Sequence, residues 1–479
     1  MHLAFLNPQG NFDPADSHLT AHPDFGGQLV YVKQVALALG RLGHSVDIVT
    51  RLVDDTQWPE FASAEEGYPD APNVRIVRLP AGDTNAFLPK ERLWPFLVRD
   101  WVPNILEFYR DSAPDAVTAH YGDGGLSAVL VRAATGIPFT FTAHSLGAQK
   151  LDKLLDTESL ETLDKQYNFG IRLEAERLSM NHSGVNIVST VLERREQYAH
   201  PRYEPAIGVS DDSRFAVVPP GVNLGTFDRD SESAADREVA RYVDERVSAA
   251  TGRRTGLPAI VASSRLDPKK NIVALVEAYA SSPALQRAAN LVLVTGSLDD
   301  PLHDAGSATR TEREEIRRIR RVIDDHNLDG SVIAFGIQGQ DKLAAAYRYW
   351  AQHGGVFALT ALYEPFGLAP LEAAAAGLPV VVTKNGGPAE SLVDKDGGYG
   401  VLVDPADPAD IAAGLQRALG DDWKRLAEAG RRRVHDHYTW DRTAEGYLAA
   451  VERAGEDGGR DLLPVHPYFT GEGEPPGVG

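Results

Sequence analysis

The fold class follows from three stretches: LAFLNPQG at residues 3–10, FGGQLVYVKQVALALGRLG at residues 25–43 and VDIV at residues 46–49. The first and the last contain short apolar runs bounded by turn residues, which is typical of buried strands. In the middle stretch, apolar side chains recur on one helical face, at positions 29, 32, 35, 36 and 39. A strand, a glycine turn, a helix and a second strand form a βαβ unit, which predicts a parallel sheet.

The same alternation continues along the chain and predicts two α/β halves. Further strands of the first half are predicted at 74–79, 116–119, 139–143, 185–189 and 215–218. After Pro-Pro-Gly at 219–221 and an acidic stretch, a second series is predicted at 259–263, 291–295, 332–335, 356–359 and 380–383. We therefore predict two doubly wound, Rossmann-like domains facing a central cleft.

The predicted domain bounds are 1–222 and 223–439. We expect a helix at 440–453 to complete the N-terminal domain. The remaining residues, 454–479, are rich in glycine and proline and are expected to be disordered.

Composition excludes several classes of function. The 479 residues contain no cysteine, which rules out disulfides, thiolate zinc sites, iron–sulfur clusters and a cysteine nucleophile. The net charge of −20 disfavours binding to nucleic acid or to anionic lipid, so an anionic ligand needs a local cationic pocket. No apolar run is long enough to span a membrane, and the first residues do not resemble a signal peptide. We therefore expect a cytoplasmic protein.

A cationic motif, SSRLDPKKN at residues 263–271, follows the first predicted strand of the second half. Arg265 and Lys270 are thus expected at the carboxyl edge of the sheet, where such folds bind ligands. A guanidinium fork and an ammonium group together can clamp a diphosphate. The alternative is an ordinary solvated helix start, which is the usual explanation of a Lys-Lys pair alone.

An acidic motif, EPFGLAPLE at residues 364–372, follows another predicted strand and opens a helix near Gly367. The first N–H groups of a helix are unpaired and its dipole is positive there, so this turn can bind an anion. Glu364 and Glu372 are expected to accept hydrogen bonds from sugar hydroxyls, although each glutamate alone is better explained as a helix-favouring charge. In NGGPAE at residues 385–390, two glycines would let the backbone approach a ligand closely.

The first half offers a second anion pocket. Lys90, Lys150 and Arg172 supply its positive charge, whereas Arg177 is expected to make a structural ion pair. His144 lies at the end of a predicted strand, on the side of the expected cleft. A lone histidine is more often a hydrogen-bonded structural residue than a functional one.

The chain contains no Walker loop, no His-Glu-x-x-His motif and no dinucleotide-binding Gly-x-Gly-x-x-Gly in the required context. An Asp-x-Asp pair of the kind that holds a metal-bound nucleotide sugar is also not evident. We therefore expect no cofactor and no metal, because a cationic clamp and a helix dipole can neutralise a leaving diphosphate instead.

These motifs resemble those of a known family. The three motifs of the second half are similar to the donor-site motifs of retaining GT-B glycosyltransferases. Those of the first half resemble the branch that contains sucrose-phosphate synthase and sucrose synthase: PQGNFDP at 8–14, DFGGQLVYV at 24–32, LPKE at 88–91, HYGDGG at 120–125 and FTAHSLGAQK at 141–150. The resemblance extends from about residue 3 to residue 453. Several relatives have glycine where Ala143 stands here, which puts no role in doubt.

The resemblance implies a set of site residues. Arg265 and Lys270 would hold the UDP diphosphate, Glu372 the ribose hydroxyls and Glu364 the glucose. Backbone N–H groups of Phe366, Gly367 and Leu368 would lie near the donor. His144 would sit over the glucosyl ring, and its implied catalytic partners are Arg265, Lys270 and Glu364. Gly27 and Gln28 would line the junction of donor and acceptor, and the acceptor, fructose 6-phosphate, would be held by Lys90, Tyr121, Ser145, Lys150 and Arg172.

The implied reaction transfers glucose from UDP-glucose to fructose 6-phosphate with retention of configuration, giving sucrose 6-phosphate and UDP. A front-side route without a covalent intermediate is expected, with the leaving phosphate accepting the proton of the acceptor. A separate sucrose-phosphate phosphatase is expected downstream, because the chain length matches the bacterial form of the family.

Three alternatives stay open at this point. Two are enzymes of the same scaffold: sucrose synthase, which uses free fructose, and mannosylfructose-phosphate synthase, which uses GDP-mannose. The third is a non-catalytic regulatory protein that binds sugar phosphates.

Overall fold

The computed structural model describes residues 1–17, 26–395, 397–456 and 461–478. Asp24 and Phe25 of the predicted glycine turn lie outside these ranges, as do residues 457–460 and Gly479 of the predicted tail. The chain forms two compact units: Met1–Pro219 together with Trp440–Gly479, and Pro220–Thr439. The chain passes from one unit to the other close to the boundary predicted at residue 222.

The first unit contains an eight-stranded sheet with the strand order β3-β4-β2-β1-β5-β6-β7-β8. Its strands are β1 (His2–Leu6), β2 (Ser45–Arg51), β3 (Glu65–Tyr68), β4 (Ala71–Leu79), β5 (Ala116–His120), β6 (Phe139–Thr142), β7 (Val185–Val188) and β8 (Phe215–Val217). Neighbouring strands are parallel except for the antiparallel pair β3–β4. The central strand β1 is almost fully apolar and buried, as expected for a parallel sheet covered on both faces.

The helices of the first unit before Pro219 are α1 (Gly27–Arg41), α2 (Trp94–Phe96), α3 (Val102–Phe108), α4 (Tyr121–Thr135), α5 (Gly147–Leu155), α6 (Leu160–Tyr167), α7 (Phe169–His182) and α8 (Val191–Glu193). In α1, the five positions that define the predicted apolar face are all buried. The helix ends where Gly43 adopts a left-handed conformation with φ of 88°.

The second unit contains a six-stranded, all-parallel sheet with the order β11-β10-β9-β12-β13-β16, and a separate two-stranded sheet formed by β14 and β15. Its strands are β9 (Ala259–Ser263), β10 (Asn290–Thr295), β11 (Val332–Gly336), β12 (Val356–Leu359), β13 (Val380–Thr383), β14 (Val393–Asp394), β15 (Gly397–Gly398) and β16 (Val401–Val403). Its helices are α9 (Leu224–Phe227), α10 (Ala235–Thr251), α11 (Ile272–Ala280), α12 (Pro283–Ala288), α13 (Arg310–Asp325), α14 (Gln340–Gln352), α15 (Leu368–Ala375), α16 (Pro388–Ser391), α17 (Pro408–Leu419) and α18 (Trp423–His437).

Both sheets are doubly wound, which confirms the predicted α/β class. In each sheet the chain order reverses next to the first strand of the series: between β1 and β5 in the first unit, and between β9 and β12 in the second. Loops at the carboxyl ends of the strands on either side of such a reversal form a crevice, where open α/β sheets bind ligands.

The final helix, α19 (Trp440–Ala454), returns to the first unit. It packs into the same apolar core as α1, and the hydroxyl of Tyr447 lies 2.8 Å from Oγ1 of Thr142 at the end of β6. Among the residues that the structure describes, no helix combines the length and the apolar composition needed to cross a membrane.

The prediction of a disordered tail is wrong for residues 461–478. The ring of Phe469 is 1% exposed and packs into the core of the first unit. The backbone N–H of Leu463 donates to Oδ1 of Asn181 over 2.8 Å, and its carbonyl lies 2.8 Å from Nε2 of His182. A few apolar side chains hold this segment against the core. The prediction used the overall glycine and proline content, which does not show where such side chains lie.

Candidate functional site

A cavity of about 220 Å³ lies in the first unit, at the carboxyl ends of β1, β5 and β6. Apart from Gly27, every residue that was predicted to bind the acceptor lines this cavity: Gln28, Lys90, Tyr121, Ser145, Lys150 and Arg172. Gly27 is the first residue of α1 and is not among the residues that line the cavity. The segments that supply these side chains are far apart in sequence and meet because parallel strands end at the same sheet edge.

Three cations converge on this cavity. Burial, together with the charges of Arg172 and Lys90, lowers the pKa of Lys150. The Lys150 ammonium also lies 4.5 Å from the centre of the Tyr167 ring, which attracts a cation through its face. The positive charges of Lys90, Lys150 and Arg172 repel one another, and an anion bound between them would relieve that repulsion.

Two carboxylates accompany the cations. Nζ of Lys90 lies 3.8 Å from Oε1 of Glu91. Burial raises the pKa of Asp123 to about 6. Its Oδ1 accepts a hydrogen bond from the backbone N–H of Gly124, and Asp123 also lines the cavity. A cavity with both cations and carboxylates suits a ligand with a phosphate and several hydroxyl groups.

Sequence reasoning assigned no role to several residues that line the cavity. Gln9 and Asp123 lie within the quoted motifs PQGNFDP and HYGDGG, so those motifs were the available signal. Trp94 and Tyr167 also line the cavity. They come from the short helices α2 and α6, and no local pattern identified them.

His144 adopts a left-handed backbone conformation, with φ of 55°, just after β6. Its Nε2 lies 2.9 Å from Nδ1 of His120, whose Nε2 in turn lies 3.1 Å from Oγ1 of Thr118. Burial lowers the pKa of His144 to about 3, so the ring is neutral at physiological pH. The ring is therefore a fixed, uncharged group, and a non-glycine residue in this strained conformation is characteristic of functional sites.

Arg177 makes the ion pair that the sequence predicted, since its Nη1 lies 3.2 Å from Oε2 of Glu174. Arg172, one turn earlier on the same helix, faces the cavity instead. Burial opposes its charge, but the attraction and the hydrogen bond of Glu176 outweigh burial and raise the pKa of Arg172.

In the second unit, the three predicted motifs follow β9, β12 and β13, which are neighbours in the sheet. Nζ of Lys270 donates to Oε2 of Glu364 over 2.8 Å, which joins the first two motifs. The backbone N–H of Leu362 donates to the carbonyl of Lys269 over 2.9 Å. The side-chain amide of Asn271 donates to the carbonyl of Thr360 over 3.0 Å. These contacts fix the two loops to each other.

The glycines of the third motif lie close to the backbone of the acidic motif. Gly386 has a φ of 102°, and a side chain there would lie 2.1 Å from the carbonyl oxygen of Glu364. A side chain at Gly387 would lie 2.5 Å from Cα of Phe366. The close approach that both glycines permit is therefore to the backbone of the acidic motif, which they hold in place.

The helix of the acidic motif begins as predicted. Gly367 precedes α15 with φ of 93°, and α15 starts at Leu368. Phe366 packs against the core of this unit, whereas the side chain of Leu368 is exposed. This turn presents the free N–H groups of a helix start next to Glu364, which is the geometry of an anion site.

Arg265 and Glu372 complete the predicted donor residues. Arg265 is exposed and has no ion-pair partner in the part of the chain that the structure describes. Glu372 lies on α15, and burial raises the pKa of its carboxyl group to about 7. An exposed guanidinium and a desolvated carboxyl group are both groups that gain partners when a polar ligand binds. Within the described ranges, no group of three or more His, Asp or Glu side chains is placed to hold a metal ion.

Comparison with known proteins matches both units to glycosyltransferase families. Residues 26–221 match the family of glycosyl transferase 4-like domains, and residues 243–433 match glycosyl transferases group 1. The chain is 42% identical over 454 residues to a probable sucrose-phosphate synthase from Thermosipho melanesiensis, an alignment that covers 95% of this chain and 97% of that protein.

A plant relative and a solved structure agree with this match. The chain is 30% identical over 510 aligned positions to the sucrose-phosphate synthase of Spinacia oleracea, covering 94% of this chain but 47% of the plant protein. The chain thus spans about half the length of that relative. The structure of a sucrose-phosphate synthase from Thermosynechococcus elongatus superposes with a TM-score of 0.63 at 26% identity, covering 94% of this chain and 98% of that one.

Proposed function

The chain belongs to the sucrose-phosphate synthase family of glycosyltransferases with the GT-B fold, and we propose that it transfers glucose from UDP-glucose to fructose 6-phosphate. The proposed products are sucrose 6-phosphate and UDP, with the α configuration of the glucose retained. One observation supports fructose 6-phosphate rather than free fructose as the acceptor: Lys90, Lys150 and Arg172 line a single cavity of the first unit.

The acceptor site is that cavity. Lys90, Lys150 and Arg172 bind the 6-phosphate, because a phosphate dianion satisfies cations that otherwise repel one another. Tyr121 and Ser145 supply hydroxyl groups for the sugar, and Gln28 supplies an amide. Free fructose lacks the charge that this cluster is suited to bind.

The donor site is the group of loops after β9, β12 and β13. Arg265 and Lys270 bind the diphosphate of UDP-glucose, and Glu364 accepts hydrogen bonds from glucose hydroxyls. Glu372 accepts hydrogen bonds from the ribose. The N–H groups at the start of α15, from Phe366 to Leu368, face the departing charge.

The reaction that these groups support is a front-side displacement. Arg265, Lys270 and the helix start neutralise the negative charge of UDP as the glycosidic bond breaks. The acceptor hydroxyl attacks from the same face and gives its proton to the leaving phosphate, so the configuration is retained. His144 stays neutral and lies over the glucosyl ring, where it positions the donor without supplying a proton. Gly27 lies where the two substrates meet.

We propose that this reaction needs no cofactor and no added metal, because the cationic groups above carry the leaving charge. The protein is proposed to act in the cytoplasm. Its product is a phosphate monoester, and a separate sucrose-phosphate phosphatase is proposed to consume it.

The decisive experiment measures UDP release from UDP-glucose with fructose 6-phosphate and with fructose, with and without a chelator. Turnover confined to the phosphate ester supports the proposal, and NMR of the product reports its anomeric configuration. Turnover with free fructose would instead assign the chain to sucrose synthase activity. Turnover only with GDP-mannose would make it a mannosylfructose-phosphate synthase, and binding of both substrates without turnover would make it a regulatory protein.

A pair of lysine variants tests the acceptor site itself. Lys150→Ala removes a cation that lines the cavity, whereas Lys165→Ala removes an exposed lysine of α6 that does not line it. The KM for fructose 6-phosphate should rise at least about tenfold in the first variant, as expected for the loss of a charged hydrogen-bond donor. The KM should be unchanged in the second. Equal KM values in the two variants would show that the phosphate does not bind in this cavity.

A further inference from the structure

A buried carboxylate lies beneath the wall of the acceptor cavity. The side chain of Glu176, on α7, is 1% exposed and does not line the cavity. Its Oε1 accepts a hydrogen bond from Nε of Arg172 over 2.8 Å. Its two oxygens also lie 3.1 and 3.0 Å from the backbone N–H of Gly147, the first residue of α5. The hydroxyl of Tyr203 donates a short hydrogen bond to Oε2.

Arg172 belongs to the cavity wall, and the other two partners hold the start of α5 beside it. Arg172 lines the cavity, and its Nη2 also donates to the carbonyl of Ser145 over 2.9 Å. The hydroxyl of Tyr203 accepts the N–H of Ala148 over 3.0 Å, so Glu176 and Tyr203 together hold the start of α5. One turn further along α5 lies Lys150. The carboxylate thus binds one of the three cations, Arg172, directly and is linked to a second, Lys150, through the start of α5.

Two glycines pack directly on the Arg172–Glu176 pair, and one of them, Gly122, lines the cavity. A side chain at Gly122, at the start of α4, would lie 3.0 Å from Cγ of Glu176. A side chain at Gly147 would lie 3.0 Å from Nε of Arg172 and 3.1 Å from Oε2 of Glu176. The starts of α4 and α5 therefore rest on the Arg172–Glu176 pair without any intervening side chain.

We propose that Glu176 is the positioning residue of the acceptor phosphate site. It fixes the direction of the Arg172 guanidinium and the place of the α5 start, so that Arg172 and Lys150 meet the phosphate in a set geometry. This inference rests on the proposed function, which places the phosphate of the acceptor in the cavity. Glu176 itself touches no substrate.

The position requires a group that only accepts hydrogen bonds. Its neighbours are all donors: a guanidinium N–H, a backbone N–H and a tyrosine hydroxyl. A carboxylate has only acceptor sites and satisfies all three, whereas an amide would turn two N–H donors towards them. Glu176→Gln should therefore displace Arg172 or the start of α5.

Charge and geometry predict opposite results for this variant. Glu176→Gln removes a negative charge near the phosphate, so electrostatics alone would tighten acceptor binding. Loss of positioning would weaken it. We expect the KM for fructose 6-phosphate to rise roughly tenfold, the effect of leaving buried donors without a partner. The Ki of inorganic phosphate as a competitor should rise in parallel, whereas the KM for UDP-glucose and kcat at saturating acceptor should change less than about threefold.

The matched control is Glu174→Gln on the same helix, which breaks the ion pair with Arg177 and leaves the cavity intact. It should leave both the KM and the phosphate Ki unchanged. Tyr203→Phe removes one support of the α5 start and should raise the KM by about threefold, so it provides a milder variant if Glu176→Gln does not fold.

The outcomes separate the two proposals. If the unaltered enzyme does not use fructose 6-phosphate, the proposed function fails. If it does, and Glu176→Gln or Tyr203→Phe binds fructose 6-phosphate as well as or better than Glu174→Gln, the positioning role is overturned. A parallel loss for fructose 6-phosphate and inorganic phosphate, with UDP-glucose unaffected, establishes it.

Discussion

Glu372 should destabilise the second unit when it is ionised, so replacing it should stabilise the protein at high pH. Burial raises the pKa of its carboxyl group from the ordinary value of 4.5 to about 7. The folded state therefore holds the proton more tightly than the unfolded state between these two values. The stability that the protonated carboxyl contributes is present below pH 4.5 and is lost as the pH rises through 7.

The size of the effect follows from that shift. A shift from 4.5 to about 7 corresponds to roughly 3 kcal/mol once the group is fully ionised. Glu372 is partly exposed, and solvent relaxation reduces the penalty, so about 1–3 kcal/mol is expected for Glu372→Gln at pH 8. For a unit of this size, the unfolding temperature should then rise by roughly 3–10 °C.

The assay compares thermal unfolding of Glu372→Gln with that of the unaltered protein at pH 5 and pH 8, followed by circular dichroism without UDP. The gain should be present at pH 8 and should fall to roughly a quarter of that value at pH 5, where the native carboxyl is protonated but the unfolded one is partly ionised. Glu277→Gln serves as the control, because Glu277 is exposed on α11 of the same unit. A difference independent of pH would refute the reasoning, since it would mean that ionising Glu372 costs nothing. If Glu372 binds the ribose, the stabilised variant should also bind UDP more weakly.

Three further outcomes test other parts of the molecule. Lys270→Ala should lower turnover in the UDP-release assay by roughly a hundredfold or more, as for the loss of a charge-stabilising donor; a rate near that of the unaltered enzyme would exclude Lys270 from the diphosphate site. Phe469→Ala should destabilise the first unit by about 3–5 kcal/mol in urea unfolding, because the ring is fully buried; a loss below about 1 kcal/mol would mean that the tail contributes little. Gly387→Ala places a methyl group 2.5 Å from Cα of Phe366 and should weaken UDP binding measured by calorimetry, whereas unchanged affinity would show that the loop adapts.

The strand ends, and with them most candidate site residues, were predictable from sequence. Short apolar runs fixed the strands, and charged residues directly after those runs had to lie at the carboxyl edge of a parallel sheet. Arg265 was found in this way, and Lys150 was found in the motif FTAHSLGAQK, which begins in the strand β6. Lys90 lies in an irregular stretch with no strand run before it, so it was grouped with Lys150 and Arg172 by charge alone, and the resemblance of LPKE to a known branch supported that grouping.

Other features depend on contacts that no local pattern records. The i,i+4 pair of Arg172 and Glu176 and the i,i+3 pair of Glu174 and Arg177 have similar spacing, but only the first lies at the cavity. The short strands β3 and β16 were not predicted, because their pairing partners define them rather than an apolar run of their own. The docked tail is a similar case, in which one buried aromatic ring outweighs a composition typical of disorder.

Both units hold a candidate phosphate-binding cation against a glutamate, but the two glutamates must act differently. Nζ of Lys270 is 2.8 Å from Glu364, and Nε of Arg172 is 2.8 Å from Glu176. The Glu364 side chain is 15% exposed, so a sugar hydroxyl can reach it, whereas that of Glu176 is 1% exposed and cannot touch a ligand. In each pair the carboxylate orients the cation before the ligand arrives, which lowers the entropy lost on binding. A ligand that engages Lys270 also contacts its partner, so Glu364 can contribute to recognition of the sugar, while Glu176 contributes only through the direction it gives to Arg172.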